Sequence, residues 1–232
     1  MGMRDAALPH QLALALGHRE SFDRADFLAG PGNAAALALI DRWPNWPARI
    51  VALTGPEGAG KSHLAAIWAQ TAGARHLSGR AIDARSVPQA LATGALVIED
   101  ARHGDLDEAA MFHLLNLAQE ERAYVLLTAR NAPALWPVAL PDLASRLRTL
   151  PAAALAAPDD ALLRAIMVKL FADRQLAVDD DLIGYLMTRI ERSCAAMRSA
   201  VAELDHAALR LKRPVNRTLA GEILRGTARN PG

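Results

Sequence analysis

The residues best suited to chemistry lie in one short loop, residues 55–62, whose sequence is GPEGAGKS. Its spacing matches the pattern G-x-x-x-x-G-K-S, in which glycines let backbone N–H groups turn toward phosphate oxygens. Lys61 is expected to neutralise the terminal phosphates, and the hydroxyl of Ser62 is expected to bind Mg²⁺. The loop therefore predicts a nucleotide-binding site. The expected nucleotide-binding residues of this segment are Gly55, Gly58, Ala59, Gly60, Lys61, Ser62 and His63.

The sequence on either side of the loop favours this interpretation over an accidental glycine turn before a helix. Residues 50–53 form a short apolar, partly β-branched run that is typical of a buried parallel strand. Residues 63–72 predict a helix, whose N-terminus would add a partial positive charge beside the loop. Strand, loop and helix thus follow in the order that phosphate binding requires.

Polar side chains also follow two other apolar runs. Glu99 and Asp100 close the run 95–98, where one carboxylate would hold Mg²⁺ and the other would orient an attacking water. A solvated strand end is the alternative. Thr128 closes the run 124–127, and the carboxyl ends of parallel strands meet at the edge where ligands bind. Thr128 would therefore contact the γ-phosphate or the attacking water. The alternative is that it only caps its strand.

Three arginines could contact phosphate. Arg146 and Arg148 lie in the segment 140–148, LPDLASRLR, and Arg198 lies inside the predicted helix 193–211. A surface arginine is usually only solvated. An arginine supplied to the ATP of a neighbouring molecule, in contrast, accelerates hydrolysis by about 10³–10⁵-fold in well-studied enzymes. Arg198 could reach back to the phosphates, although an outward-facing helix residue is the simpler interpretation of that segment alone.

The remaining pattern predicts the elements that position these residues. Further strands are expected at 74–77 and 149–153, and further helices at 33–43 and 108–122, the latter capped by Asp107. Strands that alternate with helices predict a parallel sheet covered on both faces, which is an α/β fold. After residue 157 only helices are expected, at 162–171, 179–190, 193–211 and 218–225, with Asp179 and Ser193 as N-caps. The predicted units are a tail (1–20), a nucleotide-binding domain (21–156) and a helical lid (157–232).

Composition limits the class of protein. The formal net charge is +1, which gives no general attraction to nucleic acid. Cys194 is the single cysteine, so no internal disulfide can form and a reducing compartment is expected. No apolar run reaches the roughly 20 residues of a membrane helix, and residues 1–20 lack the features of a secretory signal. A cytoplasmic protein without membrane contact is expected.

Four segments together resemble the DnaA/Hda family of AAA+ proteins, which control bacterial replication initiation, and most closely its shorter, regulatory members. They are GKSHL at 60–64, LPDLASRL at 140–147, MRS at 197–199 followed by LDHA at 204–207, and QLALAL at 11–16. The resemblance implies a P-loop AAA+ module, an αβα sandwich with an all-α lid. It assigns the arginine finger to Arg146 and the lid arginine, sensor 2, to Arg198. The last segment is similar to a sliding-clamp-binding peptide, which here would be Gln11, Leu12, Leu14 and Leu16.

Four positions depart from the family pattern. The clamp peptide has Ala13 and Ala15 where the family usually has Ser or Pro and then Pro. Arg130 stands two residues after Thr128, where the family tends to have Asp. Glu99 stands where the acidic pair usually begins with Asp.

The resemblance implies a negative regulator of replication initiation. Such a protein binds ADP or ATP with Mg²⁺ and, together with the DNA sliding clamp, stimulates ATP hydrolysis by a DnaA-type initiator. A homodimer is a further expectation, because AAA+ modules bind nucleotide near subunit interfaces. No helix-turn-helix segment is expected after the lid, so sequence-specific DNA binding is not expected. Two other functions remain open: a stand-alone ATPase such as a helicase or transposition loader, and a nucleotide-gated adaptor between clamp and partner.

Overall fold

The computed structural model describes residues 23–102, 104 and 106–227. Within these ranges five parallel strands form one sheet in the order β2-β3-β4-β1-β5. The strands are β1 (Ile50–Thr54), β2 (Arg75–Ser78), β3 (Ala95–Glu99), β4 (Tyr124–Ala129) and β5 (Ala152–Ala154). Because β4 lies between β1 and β3, the loop after β1 and the acidic pair at the end of β3 flank the end of β4.

The central strands are apolar along their whole length because helices cover both faces of the sheet. Alternate side chains point to opposite faces. Ala52 of β1 therefore packs into one hydrophobic core, whereas Val51 and Leu53 pack into the other. Helices α1 (Ala34–Asp41) and α2 (Lys61–Ala72) cover the face of Val51. The opposite face is covered by α3 (Val87–Leu91), α4 (Glu108–Glu120) and α5 (Pro141–Arg148).

Four helices follow the sheet and enclose a separate core. They are α6 (Asp160–Asp173), α7 (Asp180–Met187), α8 (Cys194–Leu211) and α9 (Arg217–Thr227). Their core includes the fully buried side chains of Met167, Phe171 and Leu186. The predicted caps are confirmed: the side chain of Asp179 accepts a bond from the N–H of Leu182, and that of Ser193 from Ala196.

The structure differs from the expectation in its short elements. Helices α3 and α5 were not expected, because five and eight residues give too little periodicity to identify a helix. Strand β5 begins three residues later than predicted. The N–H groups of Thr149 and Leu150 bond to the carbonyls of Arg146 and Leu147, so these residues close α5 before the strand can start.

Two expectations concern the chain beyond these elements. The predicted clamp peptide, Gln11, Leu12, Leu14 and Leu16, lies outside the described residues. Among the residues that are described, no helix combines the length and the apolar character needed to cross a bilayer.

Candidate nucleotide-binding site

The predicted phosphate loop connects β1 to α2, as the sequence suggested. Gly55 adopts a φ of +146°, and its N–H lies 3.2 Å from the carbonyl oxygens of Ala129 and Arg130. A Cβ atom at this position would lie 2.2 Å from the carbonyl oxygen of Leu155, so only glycine fits. The loop is thereby fixed against the ends of β4 and β5, with the N-terminus of α2 beside it.

Lys61 is folded back over this loop. Its Nζ donates to the carbonyl oxygens of Gly55 at 2.8 Å and Pro56 at 2.7 Å. Burial lowers the pKa of Lys61, an effect that the nearby charge of Asp100 opposes and that of Arg130 reinforces. A phosphate group beside Lys61 would replace weak carbonyl partners with a full negative charge.

Most of the predicted site residues line one cleft of about 410 Å³ at the carboxyl edge of the sheet. The predicted residues in its lining are Gly58, Gly60, Lys61, Ser62, His63, Glu99, Asp100, Thr128 and Arg198. Ala59 lines a neighbouring cavity. Gly55 does not belong to either described lining; its N–H bonds the start of the loop to the end of β4. The strand order explains this convergence, since β3, β4 and β1 are adjacent.

The two carboxylates of the cleft have different surroundings. Arg102 contacts both carboxylate oxygens of Asp100: its Nε lies 3.1 Å from Oδ1, and its Nη2 lies 2.7 Å from Oδ2. This contact lowers the pKa of Asp100. Glu99 ends β3 half-buried beside it. Carboxylate and hydroxyl oxygens suit Mg²⁺, so the donor set of Glu99 and Ser62 in one cleft fits that ion.

Thr128 is buried in β4, and its Oγ1 accepts a bond of 3.0 Å from the N–H of Asp100. The N–H of Ala101 donates to the carbonyl of Thr128 at 2.9 Å. The side chain therefore supports the chain segment that carries the acidic pair, which corresponds to the capping alternative.

Arg198 projects from α8 into the space above the phosphate loop and lines both cavities. Its Nε is buried, and no described residue accepts a hydrogen bond from it. The interpretation of Arg198 as an outward-facing residue is therefore wrong. A buried charged donor without an acceptor is costly, and a phosphate oxygen would supply the missing acceptor.

Replacing Arg198 by methionine is expected to affect folding and binding in opposite directions. The Tm of the nucleotide-free protein should not fall, because an unsatisfied buried donor is removed. The affinity for Mg·ATP should fall by about tenfold or more, the loss expected for a charge-assisted bond. Thermal melting and titration calorimetry measure the two effects. A lower Tm with unchanged affinity would show that Arg198 supports the lid and does not bind phosphate.

A second cavity, of about 340 Å³, opens between the sheet domain and the helical lid. On the sheet side it is lined by Phe27 and Asn33, and on the lid side by Leu162 and Ile166. The amide of Asn33 shapes its wall by donating to the carbonyl of Leu28 at 3.0 Å and accepting from the N–H of Gly30 at 2.8 Å. The lining also contains charged side chains such as Lys169 and Asp173. Its apolar part suits the aromatic base of a nucleotide.

Phe27 and Asn33 were not identified as site residues from the sequence. Phe27 packs edge-on against His63, with ring centroids 5.3 Å apart and planes at 88°. His63 is itself buried at the first turn of α2. The available signal was the position of Asn33 directly before the first helix, where a side chain often bonds nearby backbone groups.

Among the described residues, the lid contacts the sheet domain near the cavities. Lys169 of α6 donates to Asp26 at 2.9 Å and to Asp173 at 2.8 Å. A Cβ atom at Gly58 would lie 2.7 Å from the Cβ of Ser193, so the N-cap of α8 packs directly on the phosphate loop. The lid therefore approaches the loop too closely for any side chain at position 58.

Arg146 lies apart from these cavities. It is exposed on α5, and its Cζ lies 5.5 Å from the ring centroid of Phe112 on α4. Arg148, two residues further, is also exposed. In the part of the chain that the structure describes, neither arginine lines the phosphate cleft or the second cavity. This position leaves Arg146 free to approach another molecule.

The fold is shared with replication initiation proteins and a branch migration motor, although no family model matches the sequence. Domain III of the replication initiation protein DnaA from Thermotoga maritima matches with a TM-score of 0.68 and 17% identity, over 88% of this chain and 96% of that chain. AMPPCP-bound DnaA from Aquifex aeolicus matches with a TM-score of 0.65 and 16% identity, over 88% and 68%. The RuvB Holliday junction branch migration motor from Thermotoga maritima matches with a TM-score of 0.63 and 17% identity, over 83% of this chain and 66% of that chain. The chain therefore shares the fold of these proteins, a parallel αβα sandwich followed by a small all-α lid.

Proposed function

We propose that this chain is a nucleotide-binding AAA+ regulator of replication initiation, of the Hda type within the DnaA/Hda family. Its nucleotide-binding domain would span residues 21–156 and its lid residues 157–232. The observation that carries the proposal is the convergence of Lys61, Ser62 and Arg198 on one cleft beside an acidic pair. The likeness to DnaA structures, one of them bound to AMPPCP, supports it.

In this proposal ADP or ATP occupies both cavities. The phosphates lie between the phosphate loop and Arg198, and the base lies against Phe27. Mg²⁺ bound by Ser62 and Glu99 would neutralise charge on the phosphates. Because Arg102 engages both oxygens of Asp100, that carboxylate is poorly placed to orient a water. Hydrolysis by the chain alone is therefore expected to be weak.

The regulatory activity would act on a second molecule. The peptide containing Gln11, Leu12, Leu14 and Leu16 would dock on the DNA sliding clamp. Arg146 would then contact the ATP of a DnaA-type initiator and stabilise the charge that develops during phosphoryl transfer. Its exposure on α5 is compatible with this role. The single cysteine fits a cytoplasmic protein.

Calorimetric titration of the protein with Mg·ADP and Mg·ATP tests whether the chain binds nucleotide. A reconstituted hydrolysis assay with initiator, DNA-loaded clamp and this chain, each omitted in turn, tests whether it stimulates the initiator. We expect binding of at least one nucleotide, little turnover by the chain alone, and strong stimulation only when all three components are present. A chain that binds neither nucleotide, or that never stimulates an initiator, would contradict the proposal.

The likeness to the RuvB motor favours one alternative, a stand-alone ATPase such as a helicase or transposition loader. It predicts robust turnover by this chain that increases when DNA is added. The same assay separates the two functions when it also measures turnover by the chain alone and by the chain with DNA. Weak turnover in that condition would exclude the alternative.

A further inference from the structure

Arg130 and Glu57 form an ion pair across the phosphate cleft, between residues 73 positions apart in the sequence. Arg130 directly follows β4, and its carbonyl accepts from the N–H of Gly55 at the start of the phosphate loop. Glu57 lies at the tip of the same loop. Both side chains line the cleft. The guanidinium of Arg130 therefore lies at the rim of the space in which the phosphates would bind.

Arg130 lines the same cleft as the charged side chains of Lys61 and Asp100. Its positive charge contributes to lowering the pKa of Lys61 and also lowers the pKa of Asp100. Glu57 has the opposite influence on Lys61. Both partners of the pair are thus within electrostatic range of the lysine that would bind the terminal phosphates.

The pair is easily exchanged for another partner. The side chain of Arg130 is 51% exposed and that of Glu57 is 83% exposed, and exposed ion pairs contribute little to stability. A terminal phosphate offers arginine a bidentate acceptor with more charge than a carboxylate. The same phosphate would repel Glu57. A nucleoside triphosphate is therefore expected to draw Arg130 away from Glu57, whereas a diphosphate lacks the group that would do so.

We propose that Arg130 binds the terminal phosphate of a nucleoside triphosphate held by its own chain, and that Glu57 holds Arg130 when this phosphate is absent. Arg130 thereby distinguishes the triphosphate from the diphosphate. The inference rests on the nucleotide binding proposed above and adds a residue that distinguishes the two states of the ligand. It also gives a role to Arg130, one of the positions at which this sequence departs from the family pattern.

The test compares dissociation constants for Mg·ATP and Mg·ADP, measured by calorimetry, in Arg130→Ala, Glu57→Gln and the unmodified chain. We expect Arg130→Ala to weaken ATP binding by about tenfold or more and ADP binding by less than about twofold, since one charge-assisted contact is lost only with ATP. Glu57→Gln should strengthen ATP binding by about two- to fivefold, because a competing carboxylate is removed. The Tm of the nucleotide-free protein should stay unchanged in both variants.

The chain offers a matched control in Arg164 and Asp180, which pair on the lid with side chains 45% and 91% exposed. Neither residue belongs to the described lining of the two cavities. Arg164→Ala and Asp180→Asn should leave both dissociation constants unchanged. Equal losses for ATP and ADP in Arg130→Ala, or no loss, would overturn the inference while leaving nucleotide binding established. An unmodified chain that binds neither nucleotide would overturn the proposed function as well.

Discussion

Arg146→Ala is expected to abolish the stimulated hydrolysis of ATP by an initiator partner, reducing its rate by about 10³-fold or more. The loss should be large because an arginine supplied by a second molecule stabilises charge that exists only in the transition state. The nucleotide affinity of the chain itself should not change, since Arg146 lies on α5, outside both described cavities. The reconstituted assay with initiator and loaded clamp measures the rate, and calorimetry measures the affinity.

Arg148→Ala is the matched control, because Arg148 is equally exposed on the same helix and two residues away. The structure gives Arg146 a contact with the ring of Phe112, which limits the directions in which its guanidinium can extend. Phe112→Leu should therefore reduce stimulation partly while sparing the fold. If Arg146→Ala leaves the rate of the partner unchanged, the chain is an adaptor and not an activator. If only Arg148→Ala reduces the rate, the finger is Arg148.

Lys61→Ala is expected to weaken the binding of both nucleotides by about 100-fold, which corresponds to about 2.7 kcal/mol. Within the described residues the ammonium group donates hydrogen bonds to the carbonyls of Gly55 and Pro56, and a bound phosphate would give it a directly hydrogen-bonded anion. Because burial lowers the pKa of Lys61, binding should also weaken as the pH rises toward that pKa and the ammonium is lost. Calorimetry at several pH values measures both effects.

Lys212→Asn removes the same charge at a distance from the site. Lys212 ends α8 in the left-handed conformation, with a φ of +51°, which asparagine tolerates well. This control variant should bind nucleotide like the unmodified chain at every pH. Equal affinities for the Lys61→Ala variant and the unmodified chain would contradict the role of the loop in phosphate binding.

The parts of the site that could be predicted are those in which a local pattern determines the structure. The segment around Lys61 combines an apolar strand, a glycine loop and a helix start, and each has its own sequence signal. The cleft assembles Glu99 and Thr128 with the loop because both lie at the carboxyl ends of neighbouring strands. The caps Asp179 and Ser193 were predictable for the same reason, since a cap depends on residues three positions apart.

The rest depends on contacts between distant segments. The pair of Glu57 and Arg130 joins the tip of one loop to the end of another strand, and neither residue type indicates its partner. The cavity behind Phe27 exists only because the lid packs over the N-terminal segment. The direction of Arg198 likewise depends on how α8 is placed, and an arginine among apolar residues would suit either side of an isolated helix.

The packing of Ser193 on Gly58 has a consequence for the whole molecule. The sheet domain and the lid have separate hydrophobic cores, and the contacts of Ser193 with Gly58 and of Lys169 with Asp26 join them beside the two cavities. A nucleotide that fills both cavities would touch both units, so its binding free energy would add to the free energy that holds them together. The ligand would then serve as a removable crosslink inside the protein.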